Sequence, residues 1–133
     1  DIYSLSKNTV WHELSHTIDR RLAWDAMYRD EALFTEEGWS ALNPDGFAYT
    51  GEYGSLGTNI QPEWYSYFID DYSMINATED RARIFEYAVE DSGTLFRDAP
   101  GLIAKLQYYS DCIRDCFDTA LWPEITAWEA PLH

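Results

Sequence analysis

Between residues 9 and 30, TVWHELSHTIDRRLAWDAMYRD, apolar side chains recur at Val10, Leu14, Ile18, Leu22 and Met27 with polar residues between them. That spacing predicts an amphipathic helix starting after Asn8 or Thr9. The periodicity then stops. Gly38, Pro44, Gly46, Gly51, Gly54 and Gly57, with NPDG at 43–46, predict a turn-rich excursion. Phe47, Tyr49 and Tyr53 suit short irregular strands or a hairpin, although so many glycines and a proline argue against a large buried sheet. Pro62 opens a short helix, PEWYSYFIDD, with aromatic residues on more than one face. A second long helix is predicted from Ala77 to Glu90, with Asn76 and Glu79 in capping-box spacing and Ile84, Tyr87, Ala88 and Asp91 at helical intervals. A third follows Pro100, carries Leu102, Leu106, Tyr109, Ile113 and Phe117 as its apolar stripe, and ends near Leu121 before Pro123. Trp128 is expected to pack the tail back on the body. Without an internal repeat or a linker, the expectation is one mainly α domain over residues 1–133.

Composition narrows the partners. Nine Lys plus Arg against twenty-four Asp plus Glu give a formal charge of -15, so no basic patch suffices for a nucleic-acid backbone or an anionic membrane surface. No apolar run approaches the roughly 18 to 20 residues of a membrane span. The acidity favours a neutral or cationic peptide as partner, unless the local charge of a cleft opposes the net sign. The chain begins at Asp1 without an initiator Met, which suggests a processed protein or a fragment; with the acidity, this favours a secreted or extracytoplasmic location. Cys112 and Cys116 stand four apart in a helical stretch, a separation that aligns them but suits a packed pair of thiols better than a disulfide. A disulfide at a distorted helix end and metal binding are the alternatives.

Within the first helix stands His12-Glu13-Leu14-Ser15-His16. Four residues apart, the two imidazoles lie on one helical face within reach of one metal ion, and Glu13 beside them is placed to take a proton from an attacking water. Zn2+ suits such a set, because it accepts nitrogen and oxygen ligands tetrahedrally and acts as a Lewis acid. The competing interpretation is a chance match, with His12 and His16 as hydrogen-bonded surface residues. The match lies inside a periodic helix, however, and uses two of only three histidines. After His16 the sequence TIDRRLAWD lacks the glycine and third histidine of the metzincin extension, so a third protein ligand must come from a distant segment.

The segment YSMINATEDRARIFE, Tyr72 to Glu86, supplies a candidate. With HExxH it resembles the gluzincin metallopeptidases, and most closely the catalytic-domain pattern of anthrax lethal factor and related bacterial zinc proteins, in which a tyrosine precedes the ligand glutamate by seven residues. Tyr72, Asn76 and Glu79 match that pattern. The resemblance covers roughly residues 9–90 and implies His12, His16 and Glu79 as zinc ligands, Glu13 as general base and Tyr72 as a phenol that steadies the oxyanion. It implies a zincin-like helical core acting on a peptide or protein substrate. Where the pattern often carries another acid four residues after the ligand glutamate, this chain has Arg83, which cannot accept a proton from a histidine.

Physical reasoning alone leaves alternatives open. Glu79 starts a helix, where free N–H groups favour a carboxylate, but Asp80 competes for the ligand position because neighbours on a helix point about 100° apart. Tyr72 could equally be a core or rim aromatic. Asp19 shares roughly the face of His12 and His16 and either accepts a proton from an imidazole or pairs with an arginine. Residues 1–8 can supply at most one short strand, so the sheet that such enzymes place before the zinc helix is missing; either the hairpin region around residues 46–60 substitutes for it, or the chain is a catalytic-core fragment with an upstream domain of the same protein as partner. The competing functional readings are a zinc-binding relative without catalysis and a noncatalytic helical interaction domain.

Overall fold

The computed structural model describes residues 7–51, 61–90 and 94–133. Among the described residues four α-helices carry the fold: α1 (Lys7–Tyr28), α2 (Glu36–Ser40), α3 (Ala77–Glu90) and α4 (Pro100–Cys116). Tighter 3-10 segments span Pro62–Tyr67, Asp71–Met74 and Ala127–Leu132. The architecture is mainly α, with no strand among the described residues. No described helix is long and apolar enough to cross a membrane.

The three long helices lie close to their expected positions, but α1 is rolled differently from its apolar pattern. Leu22 is buried and Ile18 half-buried, whereas Val10, Leu14 and Met27 are exposed. The face turned to the core carries Ser15, Asp19 and Leu22, spaced four and three residues apart. Hydrogen bonds fix this roll. Tyr109 of α4 meets Ser15 Oγ at 2.7 Å and donates to Asp19 Oδ1 at 3.1 Å. Arg81 of α3 donates to Asp19 Oδ2 at 2.8 Å. Burying these polar groups is tolerable because each is paired. The exposed side of Leu14 faces an apolar groove of about 390 Å³ that it shares with Trp11, Phe85 and tail residues Trp122 and Trp128.

The apolar core lies where α3 and α4 meet α1 and the 34–39 segment, with Ile84, Phe85, Leu102, Leu106, Ile113 and Trp39 almost fully enclosed. Trp128 lies 5.7 Å from the Phe85 ring, centroid to centroid, so the tail packs back on α3 as its aromatic content suggested. Glu129 anchors it by accepting bonds from Ser110 at 2.6 Å and Arg114 at 2.7 Å.

Two expectations need correction. The region after α1 contains a helix, α2, capped by Thr35 Oγ1, which accepts from Gly38 N–H at 2.8 Å. Thr35 followed by Glu36 and Glu37 is the local signal, masked by the helix's five-residue length and its glycine. Helix α4 ends at Cys116, not near Leu121, because Asp118 accepts from Ala120 N–H at 3.1 Å and offers the backbone a turn in place of another helical turn. Leu121 is consequently exposed.

In the excursion, Phe47 N–H bonds Pro44 C=O at 3.1 Å, and Gly46, at φ +83°, takes the left-handed position that this turn requires. Thr50 and Gly51 N–H groups bond the Met74 and Ile75 carbonyls at 3.0 and 2.8 Å, which tethers the stretch beside the entry to α3. The expected hairpin residue Tyr53, with Gly54, Gly57, Asp91 and any strand within residues 1–6, lies outside the described residues. Cys112 and Cys116 are free thiols, one buried and one half-buried, and burial pushes the Cys112 thiol up to about 12.

Candidate metal centre

α1 and α3 pack along each other, and their contact builds the centre. Asn76 caps α3, its Oδ1 accepting from Glu79 N–H at 2.8 Å. The cap aims the first turn of α3 at α1, where the Glu79 carboxylate bridges both histidines: Oε2 lies 2.9 Å from His12 Nε2 and Oε1 lies 3.3 Å from His16 Nε2. The two imidazoles stand edge to face with centroids 4.8 Å apart. Ligating atoms of His12, Glu13 and His16 all fall within 4.8 Å of one another.

Glu79 and Asp80 separate cleanly. Asp80 points away from the histidines into the interior, where its Oδ2 receives Lys105 Nζ at 2.8 Å and Tyr49 Oη at 2.7 Å. Both charged side chains are fully enclosed. Burial raises the Asp80 pKa and lowers that of Lys105, and each partner's charge opposes the shift of the other. The 100° step between neighbouring helical residues thus turns Glu79 toward α1 and Asp80 toward α4. Asp19 likewise bonds Arg81 and Tyr109 and not an imidazole, which removes it as the acceptor behind a histidine.

That acceptor is Glu86. Its Oε1 lies 2.9 Å from His12 Nδ1, and its side chain is only 2% exposed. The motif spacing does not single Glu86 out. Its available signal is seven-residue separation from Glu79, two helical turns along the same face, within the apolar run RIFEYAV. Arg83, in the position where an acid was expected, supports Glu86 by donating from Nη1 at 2.8 Å. Its guanidinium also lies 4.5 Å from the centre of the Tyr72 ring.

Carboxylates at both ring nitrogens make His12 a place for positive charge. The hydrogen bond that its Nδ1–H donates to Glu86 is the largest influence raising its pKa; burial opposes the rise, and Glu79 adds to it. A neutral imidazole has only one N–H to donate, so satisfying both carboxylates requires a protonated ring or a cation between Nε2 and Glu79. The spacing suits the second arrangement. Zinc bonds of about 2.0–2.1 Å in a tetrahedron put ligand atoms roughly 3.3 Å apart, close to the 2.9 and 3.3 Å found between Glu79 and the imidazoles. Two nitrogens and a carboxylate fit zinc in donor type as well as spacing.

Glu13 is exposed on α1 beside the histidines. Tyr72, from the 3-10 segment before α3, has its ring centroid 6.3 Å from that of His12. Glu13 and Tyr72 line an open recess of about 200 Å³ with His12, Arg83 and Glu86. A second recess, of about 270 Å³, opens past His16 toward Arg20, Glu36 and Arg81. The histidine pair therefore sits between two polar depressions. Comparison with protein-family models, curated proteins and solved structures finds no match to the chain.

Proposed function

We propose that this chain is a zinc-dependent metallopeptidase of the gluzincin kind, with His12, His16 and Glu79 holding the metal. The observation that carries this reading is the convergence of both imidazole Nε2 atoms on one Glu79 carboxylate, with Glu86 behind His12. Such backing fixes the tautomer and orientation of a ligand histidine and raises its basicity. When bound, zinc supplies Lewis acidity that lowers the pKa of water and polarises a carbonyl.

The chain's own groups then divide the work of peptide hydrolysis. Glu13 accepts a proton from the attacking water and returns it to the leaving amine. Tyr72 presents its phenol to the oxygen on which negative charge develops. The recesses on either side of the histidines give an extended peptide somewhere to lie. An upstream domain of the same protein fits as a partner that would supply the sheet edge beside which such a peptide aligns.

Metal analysis of natively purified protein, followed by cleavage of an unbiased peptide library by wild type and E13Q, tests the proposal. Stoichiometric zinc in both proteins and cleavage by the wild type alone is the expected result. Full turnover by zinc-loaded E13Q would remove Glu13 as the base. Zinc without any cleavage would replace this reading with an inactive zinc-binding domain, and absence of zinc binding would favour a noncatalytic helical interaction domain.

A further inference from the structure

We propose that Arg83 makes the recess beside His12 a carboxylate-binding subsite, so that the peptide ligands preferred at this centre carry a carboxylate next to the group brought to the metal. The inference rests on the metal-centre reading above and names its substrate class.

Arg83 follows Glu79 by four residues on α3, which puts both on one face of the helix. It lines the recess with His12, Glu13, Tyr72 and Glu86 and is the one arginine or lysine among them. Its position is constrained on three sides. The guanidinium lies over the Tyr72 ring, Nη1 donates to Glu86 at 2.8 Å, and Nε stands 3.4 Å from Asp70 Oδ2 without forming a hydrogen bond. A guanidinium carries five N–H donors. Glu86 occupies Nη1, and among the described residues Nη2 has no hydrogen-bond partner. The side chain is 26% exposed, so a ligand in the recess has access to it.

A planar fork held by stacking and by a buried carboxylate is already ordered before a ligand arrives, which lowers the entropy lost on binding. Bracing Glu86 alone would need a single donor. An arginine that lines the recess with its Nη2 unoccupied is suited to pair an anion, and carboxylate is the anion that peptides carry. Arg83 thus places a local cation between Glu13 and Glu86 in a chain of net charge -15.

The test uses the zinc-loaded full chain and calorimetric titration with N-mercaptoacetyl-alanine, its C-terminal carboxamide, and N-mercaptoacetyl-aspartic acid α-amide. Each probe offers the metal the same thiolate; they differ in whether a carboxylate is present and where. At least one carboxylate probe should bind about tenfold or more tightly than the alanine carboxamide, the size of one charge-assisted hydrogen bond. Which one does so identifies a C-terminal or a side-chain carboxylate as the source. R83Q should erase the preference and R83K should retain only part of it, each variant being titrated at saturating zinc with its metal content verified. Equal binding of all three probes, or a preference that survives undiminished in R83Q, overturns the subsite while leaving the metal centre intact. If R83Q does not fold, an undiminished preference in R83K overturns it as well. Failure of the wild type to take up zinc instead defeats the metal reading on which the inference rests.

Discussion

Glu86→Gln isolates the part of the centre that a ligand motif alone does not reveal. The carboxylate is 2% exposed and receives His12 Nδ1 at 2.9 Å and Arg83 Nη1 at 2.8 Å. The amide keeps the side-chain volume and an acceptor oxygen but removes the charge. Hydrogen bonds to charged groups contribute about 1.5–3 kcal/mol. Removing a partner behind a metal-bound histidine commonly lowers metal affinity about 10- to 100-fold, equivalent to roughly 1.4–2.8 kcal/mol. The two scales agree, so E86Q should bind zinc 10- to 100-fold more weakly than wild type. Competition against a chelator of known affinity at fixed pH measures this, with thermal unfolding of the metal-free proteins as the folding control. Asp19→Asn provides the contrast. Asp19 forms a buried ion pair with Arg81 and lies on the motif helix, so D19N should destabilise the fold by about 3 kcal/mol or more while shifting zinc affinity less than about threefold. An E86Q protein that folds and binds zinc within about twofold of wild type would refute the role given to Glu86.

Lys105→Met leaves Asp80 buried without its charge partner and should destabilise the protein by about 3–5 kcal/mol, measured by denaturant unfolding; adding Asp80→Asn should recover part of that loss. The Glu129 carboxyl, which burial alone would raise, is held at about 2 by bonds from Arg114, Ser110 and Thr126 against an ordinary value of 4.5. Because the folded value is the lower one, its contribution of about 3 kcal/mol is present above pH 4.5 and is lost as the pH falls toward 2. E129Q should therefore lower stability at neutral pH and flatten that acid limb, and an unchanged acid profile would count against the pairing. Zinc held at about 100 times its Kd should add roughly 2.7 kcal/mol of stability, removable by chelator, and H16A should abolish the difference in Tm.

Chain-local rules reached far for α3 and the start of α4, whose caps, prolines and apolar intervals lie within a few residues of one another. They also reached the pairing of His12 and His16, because their i, i+4 spacing sets their relation within one helix whatever surrounds it. They failed for the roll of α1. Val10, Leu14 and Met27 advertised an apolar face, but the paired groups of Ser15 and Asp19 took the core position through Tyr109 and Arg81, residues more than sixty positions away. The short α2 and the early end of α4 were lost for a smaller reason, since single side-chain caps decided both.

By itself, then, the sequence determined a mainly α chain, its long helices, and two histidines able to share a cation. Only the tertiary structure decided that Glu79 and not Asp80 faces them, that Glu86 backs His12, and that Arg83 overlooks the recess. Spacing within a helix is set by backbone geometry, but its rotation against a neighbour depends on which buried groups find partners across the interface.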